Sequence, residues 1–109
     1  MWIFTQGGLL SAVQHTSDKD LVFVRARRRA HLLYHFPLHQ PLYTPHGDYH
    51  WRIVVSKQQF ASVVAEAAMQ INYPNFKDSV SDDLYHVYTN VWVAAQQLSV
   101  FMGDPNGNE

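Results

Sequence analysis

Arginine is the residue type in this chain whose placement most suggests chemistry. Arg25 and Arg27 stand two apart in Leu21–Arg27, a run that alternates in strand fashion, and so share one face. Arg28 and Arg29 open the next segment, and Arg52 lies on the polar side of a second alternating run. If those two runs are neighbours, three guanidiniums converge. Their planar forks then suit a phosphate or carboxylate, which a lysine cannot grip in two-pronged fashion. The competing reading is structural, with Arg25, Arg27 and Arg52 paired to Asp48, Asp78 or helix carboxylates.

A second constellation is Asn72-Tyr73-Pro74-Asn75-Phe76-Lys77-Asp78, followed by Tyr85-His86. It is dense in hydrogen-bonding groups and holds the only lysine of the second half. Lys77 and His86 could exchange protons beside an arginine cluster, with Tyr85, Asp48 and Asn75 as hydrogen-bonding partners. The bland alternative is a turn shaped by Pro74 and Asn75, with Phe76 filling a core. The expectation is a single patch containing Arg27, Arg52 and Lys77. His31 and His35 have the i, i+4 spacing of zinc-binding pairs, yet no H-E-x-x-H accompanies them and no third ligand is specified. No metal site and no cofactor are expected. Nor is there a G-x-S-x-G, a P-loop or a pair of catalytic carboxylates to indicate an enzyme.

Charge is unevenly spread around a formal net of −1. Seven of the eight basic side chains fall in residues 1–57, whereas six of the nine acids fall in residues 58–109. The basic half can meet phosphate or an acidic protein, and it can also meet the acidic half of a second copy. A homodimer is therefore expected. The sequence pI of about 6.6 gives nucleic acid little support. Seven histidines, if mostly solvent-facing, would turn the surface more positive in mild acid.

The elements that position these residues read as one α+β domain spanning 1–103, with a disordered tail at 104–109. The length of 109 residues suits one core, and 47% hydrophobic residues argue against a disordered chain. Trp2–Thr5 and Leu9–Gln14 flank Gly7-Gly8, the dipeptide of a hairpin turn. Leu21–Arg27 is a third strand, with Val22, Val24 and Ala26 on its apolar face. Arg28–Phe36 is a short helix stopped by Pro37, and Pro37–Gly47 is loop. Asp48–Val55 is a fourth strand. Ser56-Lys57-Gln58-Gln59 has the form of a capping box. It opens a helix whose face is Phe60, Val64, Ala67, Ala68 and Ile71. Ser81 caps a last helix running to about Met102, with Leu84, Val87, Val91, Ala95 and Leu98 on its wide apolar face. The architecture expected is a mainly antiparallel four-stranded sheet with helices on one face and its strand order open.

The absence of cysteine removes disulfides, zinc–thiolate sites and thiol nucleophiles. Met1–Thr5 lacks a cationic leader and no run of ~18 residues is apolar, so a cytoplasmic protein without membrane contact is expected.

Met1-Trp2-Ile3-Phe4-Thr5, Val24-Arg25-Ala26-Arg27, Thr44-Pro45 with Asp48-Tyr49 and Arg52, and Tyr73-Pro74-Asn75-Phe76-Lys77 together resemble a widespread family of small bacterial proteins of similar length. Gly8, Ser11, Tyr85-His86 and Trp92 extend the resemblance over nearly the whole chain. It implies no activity and no catalytic residue. The His-rich stretch 31–50 departs from the more charged segment expected in that family, which weakens a metal role as a family property. The reading carried forward is a binding or regulatory module that presents an arginine-rich sheet end to an anionic partner: phosphate, nucleotide or acidic protein. A small phosphate-handling enzyme and a homo-oligomeric adaptor are the alternatives.

Overall fold

A computed structural model describes residues 1–100, in two compact units that meet at the Tyr73–Pro74 bond. The first unit holds five strands: β1 (Trp2–Thr5), β2 (Gly8–Gln14), β3 (Leu21–Ala26), β4 (Leu42–Tyr43) and β5 (Trp51–Ser56). They form one antiparallel sheet in the order β1-β2-β3-β5-β4. The alternation of β3 explains its place at the centre. Val22, Val24 and Ala26 all point to one face and are buried there. Ala12, Val24 and Ile53 form one buried row across three strands. Two helices close this face, α1 (Arg29–His35) and α2 (Lys57–Met69), which contribute Leu32 and Phe60 to the core. Phe36, just beyond α1, adds a third large apolar group.

The fold class matches the α+β expectation, although the sheet has five strands rather than four. The fifth, β4, lies in the stretch read as loop. Two residues between proline and threonine carry no visible alternation, but Leu42 and Tyr43 pair with Arg52 and Trp51. Strand β5 begins at Trp51 rather than at Asp48, because the chain from Thr44 to His50 makes a tight loop. Thr44 N–H donates to the His50 carbonyl at 2.6 Å, and the Thr44 hydroxyl donates to that of Tyr49 at 2.9 Å.

The first hairpin turn is displaced by one residue from its expected place. Thr5 pairs with Gly8, so Gln6 and Gly7 make the turn and Gly8 opens β2 with φ of 137°. Helix α1 lies so close that a Cβ on Gly8 would run into the His31 ring, and one on Gly7 into the Tyr34 ring. The glycines are thus required by packing as much as by backbone conformation.

Ser56 caps α2 as expected, its hydroxyl accepting the Gln59 N–H at 3.0 Å. The apolar face expected on α2 is covered only in part. Phe60 is buried and Val64 and Ala67 are half-buried, whereas Ala68 and Ile71 are exposed.

The second unit opens with a 3-10 turn at Lys77–Ser79, followed by α3 (Asp82–Ala95) and α4 (Gln97–Val100). The single helix expected to reach about Met102 is therefore broken at Gln96. Met102 and the tail at 104–109 lie outside the described residues. Ser81 occupies the N-cap position of α3, but its hydroxyl donates to Asp83 Oδ1 at 2.6 Å instead of capping an amide. Leu84 and Tyr88 are buried, with the Phe76 ring stacked on Tyr88 at 5.2 Å. Val87, Val91 and Leu98 of the expected buried face are exposed. No helix among the described residues is long and apolar enough to cross a membrane.

Candidate functional site

Strand order decides what the arginines can do. Because β3 and β5 are neighbours, Arg25 stands directly opposite Arg52. The Lys57 N–H to Asp20 carbonyl bond, at 2.9 Å, sets the phase of this ladder. It makes Arg25–Arg52 a non-hydrogen-bonded pair, the kind whose Cα atoms approach to about 4.5 Å. Both side chains leave the face opposite the helices. Like charges in this position repel, and sheets ordinarily avoid them.

Aromatic rings and one hydroxyl absorb part of this cost. Arg25 Nη2 donates to the Ser11 hydroxyl at 2.9 Å, across the β2–β3 pairing that aligns the two residues. The Arg25 guanidinium lies 4.7 Å from the centre of the Tyr49 ring, and that of Arg27 lies 4.4 Å from the same ring. Arg52 lies 5.5 Å from the Phe23 ring, on which His15 also stacks at 4.7 Å. Each ring face offers a cation up to about 1–2 kcal/mol. Tyr49 is held beneath its two arginines by the Thr44 hydroxyl on its carbonyl, which gives the Thr44-Pro45…Asp48-Tyr49 motif a physical role.

No carboxylate completes the cluster. Among the described residues, Arg25, Arg27 and Arg52 form no ion pair, and Asp48, proposed from sequence as their counter-charge, is exposed without one. The structural-pairing alternative with Asp48 is thereby corrected: its loop turns on Thr44 and leaves the carboxylate in solvent. The Nε atoms of Arg25 and Arg52 are buried and have no hydrogen-bond partner, a cost of roughly 1–3 kcal/mol apiece. None of β1, β2, β3 or β5 contains an Asp or Glu, so these strands contribute no negative side chain to the face.

The remaining expected residues belong to the second unit. Lys77 Nζ donates to Asn75 Oδ1 at 3.5 Å and lies 5.0 Å from the Trp92 ring centre. Asn75 Oδ1 also accepts the Asp78 N–H at 3.4 Å, so its side chain shapes the turn. Tyr85 and His86 are exposed and meet edge to face at 5.9 Å.

The histidines are less solvent-facing than expected. His46, His50 and His86 are exposed, while His15, His31, His35 and His39 are half-buried. Among the described residues no group of three or more His, Asp or Glu could hold a metal ion. His31 and His35 instead fasten α1 to the first hairpin. His35 Nε2 is 2.6 Å from the Thr5 hydroxyl, which also accepts the Gly7 N–H at 3.1 Å. Burial pushes the His35 imidazole below its usual range, and His31 adds to this while Glu66 opposes it. His35 lies on the wall of a cavity of about 190 Å³ between β1, α1 and the end of α2.

Sequence reading missed this clasp, as well as Ser11 and Tyr49 as partners of the arginines. The signal for Ser11 was present, a lone hydroxyl within an apolar strand. Its meaning depended on a register that only the fold supplies. No family model, curated protein or solved structure matches this chain.

Proposed function

We propose that this chain is a cytoplasmic binding module that takes up an anionic partner on the sheet face carrying Arg25 and Arg52. The observation that carries the reading is an uncompensated pair of cations. Two arginines face each other across adjacent strands, half-buried, and neither has a carboxylate ion-pair partner among the described residues. A phosphate group answers this arrangement because it accepts hydrogen bonds from two guanidiniums and cancels their repulsion. Arg27, exposed beside them on the shared Tyr49 ring, adds a third cation at the rim. Phosphate, a nucleotide or an acidic protein segment would satisfy the same chemistry. Calorimetric titration with pyrophosphate tests it. Saturable binding should be lost in both Arg25→Met and Arg52→Met and kept in Arg29→Met. Equal binding by all three variants would dismiss the site.

A second reading, self-association, draws on α3, where Val87, Val91 and Trp92 are exposed. A basic first half and an acidic second half make contact between two copies favourable. Light scattering at micromolar concentration is expected to report a dimer, and a mass of 12.6 kDa would exclude it.

A further inference from the structure

The register places more than arginine on the open face. Trp2 is opposite Ser11, Ser11 opposite Arg25, Arg25 opposite Arg52, and Arg52 opposite Leu42. Directly paired residues share a face, so these five form one row across the sheet. The row begins with an indole that is 70% exposed and reaches two cations that have no acidic partner among the described residues. Strands lie about 4.8 Å apart, which puts Trp2 roughly 10 Å from Arg25 at the backbone. The Arg25 fork reaches back over β2 to Ser11, toward β1, which shortens that span to the reach of a base joined through ribose to a 5′-phosphate. Ser11, small and buried between the two, holds the Arg25 fork in place from below.

From this row we infer that the anion is a nucleoside 5′-phosphate, its base stacked on Trp2 and its phosphate held by Arg25 and Arg52. The inference rests on the anion-binding reading above and adds the class of ligand. Inorganic phosphate uses only half of the row. An acidic peptide offers carboxylates to the arginines but nothing flat for the exposed indole. A base does, because every base has a π-face, and stacking on an aromatic side chain tolerates any base identity. The site is thus expected to prefer nucleotides over phosphate without strong preference among bases. A free nucleotide and the 5′ end of a phosphorylated single strand present the same group.

The test is a set of calorimetric titrations with inorganic phosphate, ribose 5-phosphate, adenosine and uridine 5′-monophosphates, a 5′-phosphorylated trinucleotide and a glutamate hexapeptide. The wild-type chain should bind both monophosphates about tenfold more tightly than phosphate or ribose 5-phosphate. Trp2→Leu, which keeps an apolar strand residue, should bring that ratio near one while leaving phosphate affinity unchanged. Far-ultraviolet circular dichroism and melting verify that the variant is folded. A trinucleotide bound more tightly than the monophosphates assigns the ligand to a strand end, and equal affinity assigns it to the free nucleotide. Phosphate binding without nucleotide preference, a preference that survives Trp2→Leu, or tighter binding of the peptide overturns this inference and leaves the anion site standing. Binding of neither phosphate nor nucleotide overturns both.

Discussion

Replacing Arg52 with methionine should make the ligand-free protein more stable, the reverse of the usual result for a half-buried residue. Three contributions set the sign. Two unit charges about 7 Å apart at an effective dielectric of ~20 repel by about 2.4 kcal/mol, and partial exposure and salt bring this to about 1 kcal/mol. The buried Nε of Arg52 lacks a hydrogen-bond partner, so its removal recovers roughly 1–3 kcal/mol. Against these stands the contact with the Phe23 ring at 5.5 Å, about 0.5–1 kcal/mol. Methionine retains an unbranched apolar stem over Phe23. The net expectation is a gain of roughly 1–3 kcal/mol, each kcal/mol raising the melting temperature by roughly 4–8 °C for a domain of this size. Calorimetric melting in a non-coordinating buffer, with urea unfolding as a second measure, reads the change directly. Added pyrophosphate should reverse the order, since it stabilises only the chain that binds it. A loss of more than 1 kcal/mol for Arg52→Met without ligand would refute the reasoning, by showing that Arg52 is a structural strut.

Gly8→Ala should destabilise the fold by about 2–4 kcal/mol in urea titration, since it combines a φ of 137° with collision against His31; a neutral result would mean that α1 does not press on the hairpin. Ser56→Ala should cost about 1 kcal/mol through loss of the cap on Gln59 N–H. His35 titrates below its unfolded value of 6.5, so its contribution is complete above pH 6.5 and is lost as pH falls through the folded value. The stability of the wild-type chain should therefore decline below pH 6.5 with a slope of up to ~1.4 kcal/mol per pH unit from this group, and His35→Gln should flatten it. An unchanged slope in His35→Gln would assign the acid sensitivity to another residue.

The central sheet was legible in the sequence because β3 and β5 bury one face and expose the other, so their period of two survives in residue type. The same alternation put Arg25 and Arg52 on polar faces, and only their adjacency was missing. Adjacency depends on how α1 and the following loop return the chain, which composition does not encode. Strand β4 was invisible for a different reason: two residues cannot display a period, and their pairing is dictated by β5. The turn shifted to Gln6-Gly7 because the demand on Gly8 comes from His31, a side chain more than twenty positions away. Asp48 was a sensible counter-charge by sequence distance. The Thr44 hydroxyl bends its loop so that Tyr49, not Asp48, meets the arginines.

The most direct test of the account is an NMR titration that follows the arginine Nε–Hε resonances of the wild-type chain as pyrophosphate is added. The Arg25 and Arg52 signals are expected to move together and saturate at one ligand per chain, while those of Arg28 and Arg29 stay nearly still. Equal, non-saturating shifts of all five arginines would contradict it.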